Sequence, residues 1–214
     1  MRSERILIDG PAGVIETVFD YPAGAAPAGV RGLALVAHPH PLHGGTLDNK
    51  VAQILAKTFV ELGYVSVRPN FRGVGASAGV HDEGNGETDD LVEVVAHARR
   101  KLALPDQPLV LAGFSFGSLV VSRVAKRLAV ERAVERAVER LVFVGTAVTR
   151  GKVEDVPPDT IVIHGESDDT VPLDAELRWA EPQDLPVIVI AGADHFFHRR
   201  LHIIKGIILR AWKS

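Results

Sequence analysis

Cysteine is missing from the chain altogether. That excludes a disulfide framework and a thiolate nucleophile, and it fits a reducing compartment or indifference to redox state. Long apolar runs are missing too. The longest, such as residues 185–193, are broken by proline and glycine and fall far short of the roughly 20 residues a membrane helix needs. The first nine residues, Met1 to Asp9, hold no apolar stretch long enough for a secretory signal. Charge of one sign is scarce: the formal net charge is -3, with no basic stripe and no acidic tail. Nucleic acid and strongly charged partners are therefore not expected. The chain reads as soluble and cytoplasmic, with a small molecule rather than a membrane or nucleic acid as its partner. Nothing in it fixes an oligomeric state.

What is present suits one large α/β domain spanning residues 1–214, with 46% hydrophobic and 24% charged residues. A chain of this length buries roughly 70% of its unfolded surface. Apolar runs rich in Val, Ile and Leu occur at 31–37, 64–67, 108–113, 141–145, 160–164 and 186–191. Such continuous runs suit parallel strands covered on both faces. Residues 49–62, 88–102 and 118–129 place apolar side chains at helical spacing, and 199–212 reads as a closing helix. The alternation predicts a doubly wound, mostly parallel sheet with helices on both faces. Residues 5–17, with Gly and Pro near their centre, read as an antiparallel hairpin on the sheet edge. The tetrapeptide Ala-Val-Glu-Arg occurs three times in succession over 129–140. A four-residue period nearly matches a helical turn. The segment therefore reads as a lengthened surface helix running to the strand at Leu141, in preference to a partner-binding helix, because its valine stripe is narrow.

Gly113-Phe114-Ser115-Phe116-Gly117 matches G-x-S-x-G, with an apolar run before it and a helical pattern after it. Strand, sharp turn and helix are what a nucleophile elbow needs, and the crowded turn demands flanking positions without bulky Cβ substituents. A Gly-rich turn before a helix is the plainer alternative. A serine hydroxyl needs a base. Of nine histidines, His195 follows the last apolar run through the short turn Gly192-Ala193-Asp194 and is placed to swing over the elbow. His97 and His164 read as structural, inside a helix and a strand end. His198 and His202 lie four apart on the expected final helix and read as exposed. The base needs a carboxylate to fix its tautomer. Residues 164–172 offer Glu166, Asp168 and Asp169. Asp168 is favoured, while Asp169 is equally suited to cap the turn at Thr170. Asp194 is too close in sequence to His195 to face its ring. One oxyanion donor is expected at the N–H of Phe116, after the nucleophile; the other belongs to the loop at 38–46. Among residues 39–41 of that loop only His40 has a backbone N–H to give, since its neighbours are prolines. A metal site built from His38, His40 and His43 is a rival reading of the loop, set aside because two rigid prolines separate the ligands.

The elbow, the His38-Pro39-His40-Pro41 loop, the segment Asn70 to Ser77, His164-Gly165-x-x-Asp168-x-x-Val171-Pro172 and Asp194-His195-Phe196-Phe197 follow one another in this order. Together they resemble the α/β-hydrolase superfamily, and among its members small bacterial serine hydrolases related to dienelactone hydrolases. The resemblance implies Ser115, Asp168 and His195 as catalytic residues, favours Asp168 over Asp169, and aligns His40 with the oxyanion donor. It implies no cofactor and no metal. Dienelactone hydrolases use a cysteine nucleophile, which this chain lacks. The expected activity is hydrolysis of small acyl esters, with thioesterase, peptidase and non-catalytic binding protein as alternatives. Residues 146–159, between the expected sixth and seventh strands, are too few for a folded lid. Leu42, Phe71, Phe114, Phe116 and Phe196 are the expected apolar walls of an open cleft.

Overall fold

The computed structural model describes residues 1–24, 29–133 and 137–212. Eight strands form one sheet: β1 (Arg2–Gly10), β2 (Gly13–Tyr21), β3 (Gly32–Ala37), β4 (Tyr64–Pro69), β5 (Leu109–Phe114), β6 (Arg140–Val144), β7 (Ile161–Gly165) and β8 (Val187–Ile190). Their spatial order is β1-β2-β4-β3-β5-β6-β7-β8. The pairings β1–β2 and β2–β4 are antiparallel and all later ones parallel. The helices are α1 (Lys50–Glu61), α2 (Asn85–Leu102), α3 (Phe116–Arg132), α4 (Leu173–Ala180) and α5 (Leu201–Ala211).

Period-two alternation sends successive strand residues into two separate cores. Leu33, Leu35, Leu109, Leu111, Leu141 and Phe143 pack against Leu91, Val94 and Val95 of α2 and Leu119, Val120 and Val124 of α3. Ala34, Val36, Val110, Ala112, Val142 and Val144 face Leu55 and Phe59 of α1 and Ile204 and Ile208 of α5. Both faces of the central strands are thus apolar, which explains why their sequence runs are continuous. With both faces covered, the strands' carboxyl ends are what remains open to carry function.

The expected strands, hairpin and helices are present, with three differences. The hairpin is longer than 5–17, since its ladder runs from Arg2 opposite Tyr21 to Gly10 opposite Gly13. Helix α4 has no counterpart in the sequence reading. The Ala-Val-Glu-Arg segment is not one helix reaching Leu141. Its first copy closes α3, where Ala133 turns into the left-handed region at φ 51°. Residues 134–136, in the middle copy, lie outside the described residues. The last copy ends in β6, where Arg140 is already paired with Val110. There the Arg140 guanidinium bonds the Ala211 carbonyl at 2.9 Å and lies over the Trp212 ring. The sheet claims Arg140, the end of that copy, and the helical period does not carry through to Leu141. No helix among the described residues is long and apolar enough to cross a membrane.

Candidate active site

The turn from β5 to α3 is built around its two glycines. A Cβ on Gly113 would lie 2.3 Å from the backbone of Gly117 and Ser118, and one on Gly117 would lie 2.3 Å from the Ala37 carbonyl oxygen. Both are closer than real Cβ contacts allow, so α3 reaches the end of β3 only through glycine. Ser115 takes φ 55° and ψ -120°, a strained conformation for a residue with a side chain. Its N–H bonds the Val144 carbonyl at 2.9 Å, and the Ser118 hydroxyl ties back to the Gly113 carbonyl at 2.7 Å.

His195 arrives on the loop after β8, and Asp168 on the loop after β7. The two loops are tied together. The Ser167 N–H bonds the Ala193 carbonyl at 2.9 Å, and the Gly192 N–H bonds Glu166 Oε2 at 2.7 Å. Glu166, one of the three candidate carboxylates, is thus spent on loop structure. Asp168 is spent on both tasks weighed for its neighbours. Its Oδ1 accepts the N–H groups of Thr170 and Val171 at 2.9 and 2.8 Å, so it and not Asp169 caps that turn. Its Oδ2 accepts from His195 Nδ1 at 2.7 Å. A carboxylate only accepts, so Nδ1 carries the proton and the Nε2 lone pair faces Ser115 Oγ, 3.0 Å away. Ser115, Asp168 and His195 are all buried. Phe114 packs under the imidazole with ring centroids 5.0 Å apart. Asp194 instead holds the N–H and Nδ1 of His198, at 3.0 and 2.6 Å. His198 lies before α5, so only His202 of that pair is on the final helix.

The loop after β3 passes over the same place. His38 is fully buried and turned inward. Its Nδ1 donates to the Pro39 carbonyl at 2.7 Å and its Nε2 accepts the Phe71 N–H at 2.9 Å. Burial pushes its pKa down to about 4. The loop's histidines therefore do not converge on one point, and among the described residues no three His, Asp or Glu side chains are arranged around a metal. His40 is partly exposed; burial and the neighbouring His81, His43 and Arg150 push its pKa to about 4 as well. The backbone N–H groups of His40 and Phe116 have no hydrogen-bond acceptor among the described residues. The segment Asn70 to Ser77 is anchored beneath this loop. The Asn70 amide accepts the Leu47 N–H at 2.8 Å and donates to Glu16 at 2.7 Å.

A cleft of about 320 Å³ opens over Ser115, lined by His40, His43, Phe116, Arg150, His195 and Phe196 among others. Of the expected apolar walls, Phe116 and Phe196 line it. Leu42 is 71% exposed on its turn, and Phe71 and Phe114 are core residues. Phe114 ends β5 and points with Val110 and Ala112 into the α1/α5 core, because strand residues alternate. Sequence reasoning missed Arg150 and the buried Glu176 of α4. No helix or strand lies between β6 and β7.

The model of the α/β hydrolase fold family matches residues 42–158, more than half the chain. A Xanthomonas campestris protein described as an α/β serine hydrolase without a lid has a TM-score of 0.85 to this structure at 35% identity, over 99% of this chain and 94% of that one. An α/β serine hydrolase homologue from Coxiella burnetii gives 0.81 at 34%, over 97% and 96%. An uncharacterized Rickettsia prowazekii protein, RP471, is 38% identical over 120 residues, which is 56% of this chain and 48% of the relative. The chain thus spans only about half the length of that curated relative. With G-x-S-x-G at the turn after β5 and no lid between β6 and β7, the chain belongs to the α/β-hydrolase fold family.

Proposed function

We propose that the chain is a carboxylesterase-like serine hydrolase that cleaves small acyl esters through Ser115, Asp168 and His195. The observation that carries this reading is the line from Asp168 Oδ2 through His195 to Ser115 Oγ, 2.7 and 3.0 Å, at the floor of an open cleft. In the first step the Ser115 oxygen bonds to the ester carbonyl carbon as its proton passes to His195 Nε2. The carbonyl π pair becomes an oxyanion, held by the N–H groups of Phe116 and His40. Asp168 stabilises the imidazolium. Collapse expels the alkoxide, which takes the proton from His195 and leaves an acyl-serine. Water repeats the sequence, releasing the acid and restoring the Ser115 hydroxyl. One ester and one water give one acid and one alcohol.

Labelling with a fluorophosphonate probe, mapped to Ser115, combined with p-nitrophenyl acetate turnover, tests this directly. Ser115→Ala is expected to lose labelling and several orders of magnitude of turnover while staying folded. A variant that kept more than about a tenth of wild-type activity would remove Ser115 from the chemistry. Thioester and amide substrates run beside the esters decide which kind of acyl bond is cleaved.

A further inference from the structure

The mechanism above leaves one buried carboxylate unused. Glu176 of α4 has no exposed surface, and neither of its carboxylate oxygens has a hydrogen-bond partner. An ionised group in that state is costly unless something compensates it. What faces it is His164 of β7, equally buried, with Nδ1 3.4 Å from Glu176 Oε2. On its other side His164 Nε2 lies 2.9 Å from the Val171 carbonyl, which can only accept, so Nε2 carries a hydrogen. The same Nε2 is 3.6 Å from Asp168 Oδ2, the oxygen that holds His195. Glu176 from α4 and Asp168 from the loop after β7 are thus the carboxylates facing His164, and His195 lies beyond Asp168.

With its hydrogen on Nε2, a neutral His164 would turn a lone pair at the Glu176 carboxylate, acceptor against acceptor. The contact is attractive only when a proton lies between them. Burial opposes a charged imidazole here, yet Glu176, the Val171 carbonyl and Asp168 together hold the His164 pKa above its ordinary value. We propose that His164 and Glu176 form a proton-holding imidazolium–carboxylate pair that positions and tempers Asp168, with its positive end aimed at the oxygen that holds His195. Neither residue touches substrate; both act through Asp168. The cation end shares the Asp168 oxygen with His195, so removing it should tighten the hold of Asp168 on the imidazolium that forms on His195 during the reaction. This inference rests on reading Asp168 as the acid of the triad.

The test is the pH dependence of kcat/KM for p-nitrophenyl acetate in the wild type and in Glu176→Gln. Gln keeps the shape and removes the charge, so His164 loses its proton and Asp168 its neighbouring cation. The acid limb of the profile should move to higher pH by about half a unit or more, with the plateau retained within about tenfold. An unmoved limb would mean that Glu176 is merely structural. A limb moved to lower pH would mean that His164 keeps its proton without Glu176. Either overturns the proposal. Should Glu176→Gln fail to fold, nitrogen NMR of the wild-type His164 ring decides the matter: both ring nitrogens should be protonated at pH 7, and a bare Nδ1 refutes the pair. The esterase reading fails separately. If the ester is not turned over, the rate of fluorophosphonate labelling is followed against pH instead. An unlabelled Ser115 removes the esterase reading and the proposal with it, whereas a labelled Ser115 with an unmoved limb removes the proposal alone.

Discussion

His38 and His164 stand near the carboxyl ends of two strands of one sheet, both without exposed surface, and are pushed in opposite directions. His38 meets a carbonyl and an N–H, which satisfy a neutral ring, and burial takes its pKa down to about 4 against the pull of the Pro39 carbonyl. His164 meets two carboxylates, and its pKa rises. The contrast extends to the two sides of the cleft. On the Ser115 side, position comes from backbone contact: Gly113 against Gly117, and Gly117 against Ala37. On the Asp168 side, position comes from charged side chains in a row, and one of them, Glu176, sits eight residues along the chain on a different element. Burial pushes both rings towards the neutral form; the carboxylates beside His164 reverse that push, and nothing beside His38 does.

The Asp168 side is expected to break through rate. Asp168→Asn is expected to lower kcat by about 10⁴, because the amide would favour the wrong imidazole tautomer. Asp169→Asn, at an exposed side chain whose recorded partner is the neighbouring Thr170 hydroxyl, should leave kcat within a few-fold. Steady-state kinetics of the two variants with p-nitrophenyl acetate checks this, and equal effects would refute the assignment. Asp168 also caps the turn at Thr170; the Asn side-chain oxygen still accepts those N–H groups, so stability should change little while turnover falls.

The Ser115 side should break through the fold instead. Gly117→Ala puts a methyl group 2.3 Å from the Ala37 carbonyl and 2.7 Å from that of His38. Neither is the end of a flexible side chain, so the helix or the strand must move. The expected cost is more than about 4 kcal/mol, a large part of an ordinary domain's stability. Urea denaturation measures it. A Gly117→Ala protein as stable as the wild type would show that α3 and β3 are less tightly apposed than the structure has them.

This division also explains what could be read from the sequence. Backbone constraint restricts residue identity locally, so the elbow is visible as G-x-S-x-G, and double burial shows the strands as continuous apolar runs. The meeting of Ser115, Asp168 and His195 is legible because each follows a strand end. Charge networks leave no such local trace. Helix α4 is eight residues long, and the buried residues it contributes are Glu176 and Ala180. An acidic residue on a short polar segment reads as surface, so the element and its buried carboxylate were both invisible. The cleft walls were misjudged for a related reason: Phe114 is near Ser115 in sequence, but strand alternation turns it into the core.

The two buried histidines themselves offer the next test. For His38 the unfolded chain binds a proton near pH 6.5 and the folded chain only near 4. Its neutral partners therefore cost nothing above pH 6.5, and stability falls as pH drops from 6.5 towards 4, by about 3 kcal/mol in full. His164 has the opposite sign: its contribution is complete below its unfolded value and is lost as pH rises through the higher folded one. His38→Gln retains an acceptor for the Phe71 N–H and cannot titrate. Urea unfolding at pH 7 and pH 4.5 should show a loss in the wild type that is smaller by about 2 kcal/mol in His38→Gln. An equal loss in both proteins would mean that His38 is not the group that titrates.

The smallest expected effect lies in the cleft that the two sides share. Its volume is about 320 Å³, and residues 146–160 carry no helix that would fold over it. Phe116 and Phe196 line it with Pro39, Ala147 and Val171, and Phe196 is itself 47% exposed. A methylene contributes about 0.8 kcal/mol only where it is truly buried, so the first two or three carbons gain and further ones extend into water. Acetyl to butyryl p-nitrophenyl esters should therefore have the highest kcat/KM, and no jump in rate should accompany the onset of substrate micelles. Phe196→Ala shortens the wall without touching Ser115, Asp168 or His195. It should lower kcat/KM for the butyryl ester by less than about tenfold, and by less again for the acetyl ester, since fewer methylenes lie against the lost ring. A maximum at ten or more acyl carbons would require a buried acyl channel. A Phe196→Ala effect as large on acetyl as on butyryl would mean that the ring orients His195, 5.2 Å away between ring centroids, rather than the acyl group.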